Sequence, residues 1–354
     1  MGIEKEQAKN HDALPDALME LVSAQDVDVR KAVAGNPSTP PDRLAELAKD
    51  RAWVVRYWVA YNKSTPPEVL ERLAKDRSRN VRWGVAKNSS TSPDLLTALA
   101  KDQSEYVRCA VAKNGNTLPE VFVGLAKDKS DWVTWNVATS IFTPSGVLAQ
   151  LAKDEYASIR CWVGGNPSAP PDILVELTKD KYWDVRYSVT KNPSVPPEVL
   201  ASLAEDENWL VRQSVAQSFY TPPSTLVKLA TDEDEYIRKA VAINKIAPPE
   251  ALAVLARDNN KYIRMAVANN PSTPPHALFH LALDENKWVR RGVAYNESTP
   301  PETLAQLAQD EDELVSEAAT RNNNRASDFM ALTDMQGGRA TVEYPNPTND
   351  LEIS

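Results

Sequence analysis

His276 and His280 stand four residues apart, the spacing at which two imidazoles on one helix face can share a metal ion. The equivalent places of other sequence rows include Asp42 and Glu46, both polar, so the pair reads as a solvated face. One other histidine, His11, lies far away in sequence, which leaves little imidazole for acid–base or metal chemistry. Cys109 and Cys161 are the two thiols. They are 52 residues apart in the same column of a 26-residue pattern. With helix layers ~10 Å apart they would sit ~20 Å from one another, beyond disulfide reach. No glycine-rich phosphate loop, nucleophile elbow or cysteine ligand set is present, and the chain is expected to be non-catalytic with no cofactor.

A second arrangement imitates a site. Asp50 recurs at the same place in eleven consecutive rows through Asp310, and Arg56 in ten of twelve, failing at Thr134 and Ser316. An acid and a guanidinium on every row form charge-assisted bonds suited to tying one layer to the next. Chemistry repeated everywhere specifies stacking, and selectivity belongs where rows differ.

The rows themselves are unbroken. Twelve segments of 26 residues start at Asn10, Asn36, Asn62 and so on to Asn296, and the last ends at Arg321. Such periodicity decides the architecture before local propensity does. Each row predicts two short helices. In the second, Thr39 precedes Pro40 and Pro41, with Asp42 three residues on, which predicts a capped helix start with proline in its first turn. Leu44, Leu47 and Ala48 form its apolar stripe. A second helix runs from about Trp53, with Val55 and Val59 inward, and stops at Asn62, a residue that tolerates the left-handed conformation of a helix end. Helices this short do not persist alone, so adjacent rows must bury both stripes. The fold class is all-α: an α-solenoid of twelve two-helix repeats forming a curved superhelix. Residues 1–9 read as a lead-in, 10–321 as the solenoid, 322–335 as a degenerate half-repeat cap and 336–354 as a disordered tail. Around Thr134 several fixed residues lapse together (Ser140 for Asn, a lone Pro144, Gly164 and Gly165), so the array is expected to open most easily between residues 130 and 166.

The pattern N-P-S-T-P-P-x-x-L-x-x-L-A-x-D-x-x-x-x-V-R-x-x-V-A resembles the bacterial leucine-rich repeat variant family and, more distantly, HEAT repeats. The resemblance covers residues 10–321. It implies a right-handed superhelix of paired short helices, one of which is 3₁₀ in some members, and no settled activity. One known member carries an iron–sulfur cluster on an N-terminal cysteine motif. The first cysteine here is Cys109, so that cluster is not carried over.

Composition bounds the rest. A net charge of −9 argues against indiscriminate nucleic-acid binding. Unpaired thiols and the lack of an N-terminal apolar run predict a reducing, cytoplasmic home, and no stretch approaches the length of a membrane span.

The informative columns are those of residues 53, 54, 57 and 61, which face away from Val55 and Val59 on a helix. Of their 48 sites, 14 are Trp or Tyr, about four times the 7% aromatic content of the chain. Trp53, Trp183 and Trp209 occupy the first column. Tyr106, Trp132, Tyr236, Tyr262 and Trp288 occupy the next. Tyr57, Trp83, Trp135 and Tyr187 share the third with Arg291, and Tyr61 and Tyr295 hold the last. The charges among them lean basic, with Arg79, Lys87, Lys113, Lys191, Lys239, Lys261 and Lys287 against Glu105, Asp131, Asp184 and Glu235. Second helices of such solenoids usually line the concave side, and Trp, Tyr and Arg are common interface anchors. The expectation is therefore an interaction scaffold that binds a protein or an extended peptide on an aromatic, mildly basic concave face. The alternative is nucleic acid, with bases stacked on the rings and phosphates on Lys and Arg.

Overall fold

The computed structural model describes residues 6, 8–10, 18 and 20–322. His11 and the expected tail at 336–354 lie outside the described residues, as does the expected cap beyond Asn322. From Val27 onward the chain alternates seven-residue first helices, such as Pro41–Leu47 and Pro67–Leu73, with eight- or nine-residue second helices, such as Trp53–Tyr61 and Glu105–Ala112. There is no strand and no 3₁₀ helix among the described residues. The array divides into two compact units, Met1–Val199 and Leu200–Ser354.

Each layer closes on the stripes read from the sequence. Leu44, Leu47 and Ala48 are buried, as are Val55 and Val59; the Leu44, Leu47, Val55 and Val59 columns are buried in the later rows too, while Ala74, Ala100 and Ala308 are half-buried. Each fully buried Leu or Val contributes ~1.5–3 kcal/mol, which a single short helix cannot collect without its neighbours.

Two polar ladders fix the layers. Arg56 Nε donates to Asp76 Oδ2 at 2.6 Å and Nη2 to Asp76 Oδ1 at 3.0 Å, while Nη1 reaches back to the Asp50 carbonyl at 2.8 Å. The same bidentate bond joins Arg82 to Asp102 and Arg108 to Asp128, and, in the second unit, Arg238 to Asp258 and Arg290 to Asp310. Burial pushes the Asp76 carboxyl up, but the Arg56 guanidinium and the Ser78 amide outweigh it and hold it below its ordinary value.

The second ladder departs from expectation. Asn62 ends its helix in extended conformation, φ −72° and ψ 126°, not left-handed. Its role lies in the amide: Nδ2 donates to the Ala34 and Asn36 carbonyls, and Oδ1 accepts from the Ser64 amide. One side chain thus satisfies carbonyls in the layer before it and shapes its own turn. The threonine also faces the other way. Thr39 does not cap the helix that follows it; Pro40 takes the cap position without a side-chain bond. The hydroxyl of Thr39 donates instead to the Val33 carbonyl at 2.5 Å, and Thr65 does the same to Val59. Proline at the cap position has no side-chain acceptor to offer, while the end of the preceding helix leaves carbonyls in need of donors.

The layer of helix Asp131–Ala138 receives both ladders, from Arg108 at Asp128 and from Asn166 at Ala138, but supplies neither donor of its own. Thr134 replaces the arginine that would reach Asp154, and Ser140 replaces the asparagine, using its hydroxyl on the Phe142 amide. Local substitutes appear: Lys113 donates to Thr139 Oγ1 at 2.7 Å, and Ser130 donates to Glu105. The division into compact units nevertheless falls at Val199, away from this helix.

Candidate interaction face

The second helices place the aromatic columns at two depths. Trp53, Tyr106, Trp132, Trp183, Trp209, Tyr236, Tyr262 and Trp288 are exposed, as are Tyr61 and Tyr295. Tyr57, Trp83, Trp135 and Tyr187 are half-buried, with Arg291 in the same column. The reason is position on the helix. The first two columns sit at the start of each second helix, whereas the third lies above the neighbouring layer.

The aromatics meet both within a helix and between layers. Tyr57 stacks on Trp83 at 5.9 Å and on Tyr61 at 6.1 Å, with Trp58 edge-on at 5.4 Å. Trp58 itself covers Gly35, where a Cβ would come within 3.0 Å of its ring. Trp135 bridges Trp132 at 5.2 Å and Trp162 at 6.3 Å, on the helix that supplies neither ladder donor. Packing therefore accounts for part of the half-buried column, and it does not account for the exposed ones.

Cations sit over many of these rings. Lys87 lies 4.9 Å from the Trp83 centroid, Lys191 5.2 Å from Tyr187, and Arg291 5.3 Å from both Trp288 and Tyr295. Arg79 covers Tyr106 at 5.2 Å. Such pairs hold a cation in place over a ring. The face offers flat apolar area and positive charge at fixed points.

Residues that could do covalent or metal chemistry are not gathered here. His276 and His280 are both exposed, and no group of three or more His, Cys, Asp or Glu suited to a metal occurs among the described residues. Cys109 and Cys161 are unpaired and half-buried. Burial, reinforced by Glu105 at Cys109 and by Asp184 at Cys161, pushes both thiols up to about 11, so they are protonated and inert at neutral pH.

Several exposed groups escaped the sequence reading. Tyr156 and Tyr182 stand one residue before their helices and are 59% and 45% exposed, so a wheel begun at the first helical residue omits them. Ile141 and Phe142, and Phe219 and Tyr220, project from the loops of the two rows that open with Ser140 and Ser218. Most significant is a polar cleft of 720 Å³ lined by Arg77, Arg79, Ser104, Glu105, Tyr106 and Lys129, with ladder arginines at its floor.

Comparison with known proteins agrees with this architecture. Residues 28–82 match the family described as Leucine Rich Repeat Variant domain, and residues 288–312 the family described as Leucine rich repeat variant. The chain is thus an α-helical repeat protein that carries leucine-rich repeat variant repeats, as its row pattern implies. Among solved structures, it is similar to a leucine-rich repeat variant with a novel repetitive structural motif, at 24% identity and TM-score 0.44, covering 70% of this chain and 88% of that one. It is also similar to an engineered protein, at 17% identity and TM-score 0.24, covering 91% and 93%. A chain from the structure of Kap95p with RanGDP aligns at 12% identity and TM-score 0.36, over 94% of this chain and 55% of that one. No curated protein matches the sequence. No helix among the described residues is long and apolar enough to cross a membrane.

Proposed function

We propose that the protein is a non-catalytic scaffold that binds a protein or an extended peptide along the second-helix face of its units, on the concave side of the solenoid. A repeat solenoid supplies extended surface, and its fixed columns are consumed by stacking, which leaves the variable columns for recognition. The observation that carries the reading is the exposure of ten Trp and Tyr side chains in columns that packing does not need. Rings of this kind give large contact area at small conformational cost and anchor interfaces. Cations held over them favour a partner with acidic groups. The protonated, unpaired thiols suit action in a reducing compartment, the cytoplasm.

The test is a double substitution, Trp183→Ala with Tyr187→Ala, in the full-length protein. The two rings pack edge to face at 6.3 Å and their loss leaves Val185 and Val189 buried beneath. Capture from cell extract followed by mass spectrometry should lose the specific partner while the helical circular dichroism is unchanged. Capture that is the same for both proteins rejects the face. If the captured ligand is nucleic acid and affinity falls steeply with salt, the competing reading replaces this one.

A further inference from the structure

The cleft between the second helices that begin at Arg79 and Glu105 gathers three cations that are not taken up in an intramolecular salt bridge: Arg77 and Lys129 act on the neighbouring Asp76 and Asp128 only through space. The ladder guanidiniums at its floor are consumed: Arg82 grips Asp102 and the Asp76 carbonyl, and Arg108 grips Asp128 and the Asp102 carbonyl. Arg77, Arg79 and Lys129 remain, all exposed; the two arginines come from the row that starts at Asn62 and the lysine from the row that starts at Asn114. Arg79 is held over the Tyr106 ring, which fixes its guanidinium without occupying the donor fork. The Ser104 hydroxyl lines the same cleft and is enclosed without a hydrogen-bond partner. A single carboxylate, Glu105, lines the cleft, and it accepts a hydrogen bond from Ser130. Positive charge beside the start of a helix is electrostatically unfavourable, and an arriving anion relieves it.

We infer that this cleft binds adjacent carboxylate side chains of an acidic polypeptide segment, which would be the anchor point of the partner proposed above and rests on that reading. Arg77 and Arg79 present planar forks that match carboxylates bidentately, Lys129 adds a point charge, and Ser104 donates the remaining bond. The Tyr106 ring provides a flat wall for the methylenes of a glutamate. The chemistry favours a short acidic stretch over a nucleic acid. A phosphate backbone needs a continuous basic track, whereas Glu105 and Asp131 interrupt the column of Arg79, and Glu155 that of Arg77 and Lys129.

Fluorescein-labelled hexaglutamate, followed by anisotropy at low ionic strength, tests the assignment on the full-length protein. Arg77→Ala, Arg79→Ala and Lys129→Ala combined should weaken binding at least tenfold (about 1.4 kcal/mol), with an unchanged thermal melt showing that the fold persists. Lys63→Ala with Lys75→Ala, which removes two exposed charges outside the cleft, should leave affinity within about twofold. Glu105→Gln should tighten it by about twofold, since it removes the one anion of the lining. Equal losses from the cleft and control variants overturn the assignment, as does tighter binding of hexathymidylate than of hexaglutamate. Trp183→Ala with Tyr187→Ala should not change hexaglutamate affinity. If it does not, and yet still captures the same proteins, the broader face is refuted while the cleft stands; cleft variants without effect on hexaglutamate refute the cleft alone.

Discussion

The two compact units are written in the same repeat and differ at the starts of their second helices. In Leu200–Ser354 the residue before each of these helices is Asn208, Asp234, Asn260, Asn286 or Asp312, and each accepts a bond from the amide two residues on. In Met1–Val199 only the first described layer is capped, by Asp26 accepting from the Asp28 amide; the later layers hold Ala52, Ser78, Ser104, Ser130, Tyr156 and Tyr182, none of which makes a side-chain cap. Charge follows the same division. Across that residue and its two neighbours, layers two to seven carry five cations and three anions, and layers eight to twelve carry two cations and eight anions. A cap is worth ~1 kcal/mol and first-turn acids add a few tenths more. One unit is thus built for stable helix starts, while the other leaves polar groups there unspent. Uniform columns hold the array together and variable ones distinguish its parts.

If that division is correct, breaking a uniform column should cost the same in either unit. Arg108→Met leaves Asp128 without its guanidinium, and Arg264→Met does the same to Asp284; all four side chains are at most 12% exposed. Removing one partner of a buried pair costs 3–5 kcal/mol, and the solvent at the edge of the ladder reduces this to about 2–3 kcal/mol. Urea denaturation should give equal losses for the two variants. A loss confined to one unit would mean that the ladder is not a shared device.

Acid should weaken the ladder along the array. Asp50, Asp128 and Asp180 lie below their ordinary value because arginine and amide bonds outweigh the burial that pushes them up, and at Asp310 the Arg290 bond is the leading cause. A carboxyl lowered in the folded state stabilises fully above its unfolded value near 4. That contribution is lost as pH falls through the folded value. Melting temperature should hold steady from pH 7 to about 5 and fall progressively below about 4. A flat profile down to pH 2 would refute the ladder as a source of stability.

A smaller effect concerns helix Asp131–Ala138. Ser140→Asn should restore donors to the Ala112 and Asn114 carbonyls, as Asn114 does for Ala86 and Asn88. The gain expected from such bonds is about 1 kcal/mol. Hydrogen exchange should show the lowest protection of the ordered layers between residues 130 and 166 in the natural sequence, and a rise there in the variant. Uniform protection in both would remove this helix as a point of weakness.

What could be read from the sequence follows from what repetition makes visible. Row length, the buried Leu and Val columns and the Asp–Arg pairing recur identically, so each was legible before any coordinates. The Thr39 and Asn62 columns were equally visible, but residue type does not state which way a hydroxyl or amide points. Thr39 serves the helix before it, and Asn62 serves the preceding layer. The exposed depth of Trp53 and Tyr106 followed from a helical wheel. The cleft did not, because Arg77 and Ser104 precede their helices and Lys129 comes from a third row. Only stacking brings them together.

The finest test exchanges the caps themselves. Ser104→Asp places in the first unit the kind of residue that Asp234 is in the second, accepting from the Tyr106 amide as Asp234 accepts from that of Tyr236. A serine without a cap bond replaced by a capping aspartate should gain about 0.5 kcal/mol of stability. The same carboxylate would enter the cleft between Arg77, Arg79 and Lys129, so hexaglutamate should bind several-fold more weakly to the more stable protein. The reciprocal change, Asn260→Ala, should cost about 1 kcal/mol and leave hexaglutamate binding untouched. Opposite signs for stability and binding at position 104, with no such opposition at position 260, would show that the first unit forgoes its caps for a ligand. A variant at 104 that gains stability and keeps its affinity would instead make the missing caps a neutral difference between two halves of one array.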